Sequence, residues 1–96
     1  MPQQTLQQAF REVSDALVEY RKRQEFRLQQ EVLTRTLQDA VRLSHSRYEG
    51  GVTSYLEVLD SERQLFTAEL NLAQAQRDEL LAIVLLYRAL GGGWQF

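Results

Sequence analysis

Arg47-Tyr48-Glu49-Gly50-Gly51-Val52-Thr53-Ser54-Tyr55-Leu56-Glu57-Val58-Leu59-Asp60 is the one break in a chain that otherwise reads as helix throughout. Two adjacent glycines stop the helix before them, because Gly takes the left-handed conformation of a helix C-cap without a Cβ penalty. Ser54 and Glu57 then form the S-x-x-E pattern of a capping box, in which the Ser hydroxyl takes an orphan N–H and the Glu returns to the Ser amide. A stop and a start this close together predict an all-α fold, a long antiparallel helical hairpin of coiled-coil type with this stretch at its tip.

Working outward, a first helix is expected from about Thr5 to Tyr48. Neither Gly nor Pro lies between Gln3 and Glu49, and Pro2 sits where a missing N–H costs nothing. Leu6, Phe10, Val13, Leu17 and Tyr20 recur at alternating spacings of four and three, the seam of a coiled coil. After the polar run Arg21 to Glu25 the stripe resumes with Phe26, Leu33, Leu37, Ala40 and Ser44, one residue out of phase. Such a slip changes local supercoiling without ending the helix.

The second helix is expected from about Tyr55 to Leu90, after a tip at 49–54. Leu56, Leu59, Arg63, Phe66, Leu70, Ala73, Arg77, Leu80, Val84 and Tyr87 keep an unbroken three-four alternation. A second stripe of Val58, Leu65, Leu72 and Leu86 runs beside it at seven-residue spacing, broken by Glu79. Two apolar seams need two neighbours, and a hairpin supplies one. The remaining face, with Glu57, Ser61, Gln64, Asn71, Gln74 and Asp78, is expected to meet water. Beyond Leu90, a glycine-rich tail at 91–96 ends the helix and carries Trp94 and Phe96.

Composition narrows the function. The chain has 96 residues, enough for one domain, and a formal net charge of −2 from 11 basic and 13 acidic residues. That balance provides no basic stripe for nucleic acid. With no cysteine there is no disulfide or thiolate metal site. The opening Met1-Pro2-Gln3-Gln4-Thr5 lacks the pattern of a signal peptide. The most apolar run, Leu80 to Tyr87, is far shorter than the ~20 residues a membrane-spanning helix needs, so no direct membrane insertion is expected. His45 is the one histidine, and without a second ligand at helical spacing it makes no metal site. It reads as a surface residue. No nucleophile–base grouping and no Gly-rich loop after a strand is present, so neither enzyme activity nor a cofactor is expected.

Three segments resemble the C-terminal repeat of the bacterial outer-membrane efflux factors, the TolC-like and NodT-like channel family. They are Ala9-Phe10-Arg11-Glu12-Val13-Ser14-Asp15-Ala16-Leu17-Val18, the tip from Tyr48 to Asp60, and Leu86-Tyr87-Arg88-Ala89-Leu90-Gly91-Gly92-Gly93-Trp94. Together they span nearly the whole chain in the family's order. The resemblance implies a trimeric parent with an outer-membrane β-barrel continued by a periplasmic α-barrel, of which this hairpin is the tip portion of the second repeat. The strands, leader sequence and first repeat of that family have no counterpart in these residues. The chain is therefore expected to be a water-soluble, periplasmic piece of a longer channel.

The resemblance also implies roles. Gly50, Gly51, Val52 and Thr53 match the tip that docks the hairpin of the periplasmic adaptor (the membrane fusion protein), although glycines also simply make tight turns. Tyr48 matches a tyrosine that latches the closed channel, and it also closes the first helix's seam. Glu57 and Asp60 fall where the family places carboxylate rings at the aperture, where three copies would raise one another's pKa values by repulsion. For Glu57 the capping box is a sufficient local account. Arg63 and Arg77 read as packed stems with solvated heads, or as partners for acids on neighbouring helices. The rival reading is a free-standing coiled-coil protein that forms a helical bundle. It explains the heptads but not the Leu-Gly-Gly-Gly-Trp ending. A third, the hairpin of an adaptor itself, lacks that family's flanking β segments.

Overall fold

A computed structural model describes residues 3–92. They form α1 (Gln3–Glu49) and α2 (Tyr55–Gly92), joined by residues 50–54, with no strand among the described residues. This is the expected all-α helical hairpin. Helices this long draw their stability from packing rather than from intrinsic propensity, so the buried stripe decides the arrangement. The tail residues 93–96, with Trp94 and Phe96, lie outside the described residues.

The chain divides into two compact units. The tip-bearing unit, Leu28–Gln74, buries Thr34 and Ser44 of α1 against Val58 and Ala68 of α2. Leu37, Val41, Ser61, Leu65 and Leu72 are half-buried there. The other unit comprises 3–27 and 75–92 of the described residues. Ala9, Ala75 and Ala82 are buried in it, with Val13, Ala16, Tyr20, Leu86 and Ala89 half-buried.

These positions show which stripe of α2 faces inward. It is the weaker one, Val58, Leu65, Leu72 and Leu86, with a small residue between each pair of large ones. Ser61, Ala68, Ala75, Ala82 and Ala89 recur every seven residues and alternate with them in knobs-into-holes spacing. Small side chains let the partner backbone come close. The stripe of larger residues from Leu56 to Tyr87 is exposed along its whole length, from Leu59 at 47% to Leu56 at 73%.

On α1 the structure corrects the expected seam. Phe10, Phe26 and Leu33 are exposed. The inward positions are Ala9, Val13, Ala16 and Tyr20, then, seven residues past Tyr20, Arg27, Gln30, Thr34, Leu37, Val41 and Ser44. This set keeps the three-four alternation with no phase slip. The slip came from following large apolar side chains, whereas the middle of the real seam is polar. Its polar groups are satisfied locally: Thr34 Oγ1 donates to the Gln30 carbonyl at 2.8 Å and lies 3.5 Å from that of Ala68. Among the described residues no buried side-chain nitrogen or oxygen lacks a partner. Ser61, expected in water, sits in this seam with its Oγ 2.7 Å from that of Ser44.

Candidate functional site

The tip is a helix stop of the Schellman type. Gly51 has φ +75°, the left-handed value that only glycine takes at no steric cost. Its N–H donates to the Tyr48 carbonyl at 3.0 Å, and the Val52 N–H donates to the Arg47 carbonyl at 2.8 Å. Gly50, the first residue after α1, keeps the helical bonding pattern, its N–H donating to the Ser46 carbonyl at 3.0 Å. A Cβ there would lie 3.4 Å from that oxygen, an ordinary contact. Of the two glycines, Gly51 is the one the turn requires. Val52 follows directly and is 70% exposed, while Thr53 is half-buried.

The Thr53 hydroxyl donates to the Glu57 carboxylate. Arg47 approaches the same carboxylate at 4.0 Å. The Glu57 amide bonds the Ser54 carbonyl at 3.2 Å, rather than the Ser54 hydroxyl. The capping box therefore forms in altered shape, with Thr53 as the side-chain partner of Glu57. A carboxylate in the first turn of α2 is also favoured by the helix dipole. Tyr48 and Tyr55 close the tip from the other side, with ring centroids 5.2 Å apart and planes tilted by 57°. Tyr48 thus packs across the turn within its own chain.

Asp60 stands one turn further along α2, and with Glu57 it borders one groove beside Arg47 and Gln64. Arg63 Nη2 donates to its Oδ1 at 2.8 Å and Gln64 Nε2 to its Oδ2 at 2.9 Å. The Arg63 hydrogen bond first, then that from Gln64, hold the Asp60 pKa below its ordinary value, against an opposing desolvation and with a lesser contribution from the Arg63 charge. In the single chain the shift is thus downward, opposite to the effect expected from three copies crowded together. Arg63 and Arg77 both stay exposed, and each pairs with an acid of its own helix, Asp60 at 2.8 Å and Asp78 at 3.4 Å.

Sequence reasoning missed the side-chain pairs that cross the hairpin. His45 Nε2 lies 2.9 Å from Glu62 Oε1, so the supposed plain surface histidine has an acid partner. In an antiparallel hairpin the numbers of facing residues keep a nearly constant sum, and a register drawn through the tip on that rule brings Glu62 near His45 as it brings Ser61 near Ser44. Arg27 and Glu79 pair inside the other unit, Nη2 to Oε2 at 3.0 Å. The signal there was Glu79 itself, a charge interrupting an apolar seven-residue repeat.

Among the described residues no helix is long and apolar enough to cross a membrane. Residues 2–92 match the model of the outer membrane efflux protein family. Outer membrane protein OprJ of Pseudomonas aeruginosa is 40% identical over 92 residues, a match covering 94% of this chain and 19% of that protein. The probable efflux pump outer membrane protein TtgC of Pseudomonas putida is 41% identical over 92 residues, covering 96% of this chain and 19% of that protein. The solvent efflux pump outer membrane protein SrpC of Pseudomonas putida is 39% identical, covering 96% and 20%. The chain thus spans no more than 20% of the length of these relatives. With a family match over nearly all of its residues and the helical hairpin described above, the chain belongs to the outer membrane efflux protein family.

Proposed function

We propose that this chain is the periplasmic tip segment of an outer-membrane efflux channel, lining the export duct and docking a periplasmic adaptor. In this reading the chain acts as one helical hairpin within a trimeric wall. Residues Gly50, Gly51, Val52 and Thr53 meet the adaptor's hairpin, and Tyr48, Glu57 and Asp60 border the aperture. Family membership supports the efflux role. The observation that carries the docking role is Val52, a branched apolar side chain 70% exposed at the outermost turn. It is held there by its own backbone bond to Arg47 and by the Gly51 bond to Tyr48. An apolar side chain fixed in water by its backbone is prepared for contact, because little freedom remains to be lost on binding.

The test uses the channel that contains this hairpin together with the adaptor of the same pump. A Val52→Cys channel should cross-link to cysteines at the adaptor's hairpin end, and Val52→Asp should weaken adaptor binding by tenfold or more. Gln38→Ala, at an exposed position of α1 away from the tip, should bind as wild type. Undiminished binding by Val52→Asp would remove the docking role. For the aperture, Glu57→Gln and Asp60→Asn should reduce cation preference in single-channel conductance. An unchanged selectivity would place these carboxylates away from the duct.

A further inference from the structure

Each carboxylate oxygen of Glu57 and Asp60 has a polar group of the same chain beside it. Asp60 Oδ1 accepts from Arg63 Nη2 at 2.8 Å, and Oδ2 accepts from Gln64 Nε2 at 2.9 Å. Glu57 Oε2 accepts from the Thr53 hydroxyl, while Oε1 lies 4.0 Å from Arg47 Nη1. We propose that Arg63 is a specificity-determining residue of the aperture, the fixed counter-charge of Asp60. With Arg47 beside Glu57, it makes the channel mouth electrically neutral instead of a ring of bare carboxylates. This rests on the aperture role proposed above for Glu57 and Asp60.

Rings of acidic side chains select cations and rings of basic ones select anions, so the summed fixed charge at a constriction decides what passes. Two grooves meet at Asp60. One, between the helices, takes in Arg47, Glu57 and Asp60. The other runs along α2 and takes in Glu57, Asp60 and Arg63. Counted once each, these are two carboxylates and two guanidiniums, a sum of zero for one chain and for three copies alike. Glu49 and Glu62 line neither groove, and Glu62 stands beside His45.

Arg63 follows Asp60 by three residues on one helix, so the backbone keeps its charge within a turn of the carboxylate. That tether matters more than the bond. An exposed ion pair adds little stability and opens often. Selectivity depends instead on the charge inside a Debye length, ~8 Å at physiological ionic strength, and the guanidinium stays inside it whether the bond is open or closed. Repulsion between Asp60 carboxylates of different copies acts across the duct and weakens with distance, whereas the guanidinium of the same chain is in contact. The Arg63 hydrogen bond is also the first cause that holds the Asp60 pKa below its ordinary value.

The test is the reversal potential, in a salt gradient, of the full-length channel that contains this hairpin. Arg63→Met leaves Asp60 uncompensated in every copy and should raise the cation-to-anion permeability ratio by about threefold or more over wild type. The Arg63 side chain is 74% exposed, so its truncation removes charge and little packing. Arg63→Lys keeps the charge and should keep the wild-type ratio. Asp60→Asn strands the guanidinium and should swing the ratio toward anions, and Asp60→Asn/Arg63→Met should bring it back near wild type. A ratio that follows Asp60→Asn but ignores Arg63→Met would overturn the counter-charge and leave the aperture role standing. A ratio altered as much by Arg63→Lys as by Arg63→Met would also overturn it, because shape and not charge would then be at work. A ratio indifferent to both Asp60→Asn and Glu57→Gln would remove the aperture role and this proposal together.

Discussion

Arg27 and Glu79 form a forked ion pair at seam positions, where the heptad pattern calls for apolar residues. Arg27 Nε lies 3.2 Å from both Glu79 oxygens and Nη2 lies 3.0 Å from Oε2. The side chains are 20% and 14% exposed. Withdrawing two charges this far from water costs much of what their attraction returns, so the pair adds little net stability. What it adds is register: sliding one helix by a heptad would separate the two charges, setting Arg27 against Leu72 or Leu86 and Glu79 against Tyr20 or Thr34.

Single and double substitutions of this pair should therefore differ in sign. Glu79→Ala removes the carboxylate but keeps the guanidinium in the seam, and should cost about 1.5–3 kcal/mol, the range for hydrogen bonds to charged groups. The Arg27→Leu/Glu79→Leu double variant should unfold at or above the wild-type urea midpoint. If the double variant is as destabilised as the single, the pair is a genuine source of stability and not only a register device.

The two tip glycines should respond differently to the same change. Gly51→Ala forces a Cβ into the left-handed region at φ +75° and should cost ~1–2 kcal/mol. Gly50→Ala meets only ordinary contacts and restricts the unfolded chain, so it should be neutral or stabilising by up to ~1 kcal/mol. Paired urea titrations check this. Equal losses at both positions would mean that the Schellman bonds do not define the turn.

Much of this was legible in advance, and what was not has a common cause. Gly50, Gly51 and Ser54 announce the turn because their backbone and capping preferences are local. Which stripe of α2 turns inward is not local. Leu56, Phe66 and Tyr87 look like core by size, yet Ala68, Ala75 and Ala82 are buried, because two close-packed helices select small residues at their contact. The polar seam of α1 misled for the same reason. Thr34 and Ser44 are buried because partners across the hairpin or one turn back satisfy them, and sequence periodicity does not record partners. At the tip the Glu57 carboxylate takes the Thr53 hydroxyl, a partner that the capping-box pattern does not name.

Asp60 should titrate below the ordinary carboxylate value of 3.8, because Arg63 and Gln64 hydrogen-bond its ionised form. Its folded-state pKa is depressed, so its contribution to stability is complete above the unfolded-state pKa and is lost as pH falls through the folded-state pKa. Arg63→Met removes the larger cause. Side-chain carbon chemical shifts followed against pH should then show the Asp60 midpoint moving up toward 3.8, with Gln64→Ala giving a smaller rise. An Asp60 midpoint that ignores Arg63→Met would mean the pair exists only transiently in solution.

Ser44 and Ser61 pose a question of proton supply. Their hydroxyl oxygens are 2.7 Å apart, and each also lies near a backbone carbonyl of its own helix, Val41 at 2.9 Å and Val58 at 3.0 Å. Each hydroxyl has one proton to give. If one serine donates to the other, it leaves its own carbonyl unserved, and that carbonyl is already bonded within its helix. The pair is thus nearly self-sufficient, needing both members or neither. Ser44→Ala or Ser61→Ala alone should cost about 1 kcal/mol by leaving one hydroxyl in a half-buried seam with a methyl group opposite. The Ser44→Ala/Ser61→Ala double variant should recover most of that loss, because two alanines extend the small-residue packing already present at Ala68 and Ala75. A double-mutant cycle by urea denaturation measures the coupling directly. Strict additivity would show that each serine is held by its own backbone carbonyl and that the contact between the hydroxyls contributes nothing.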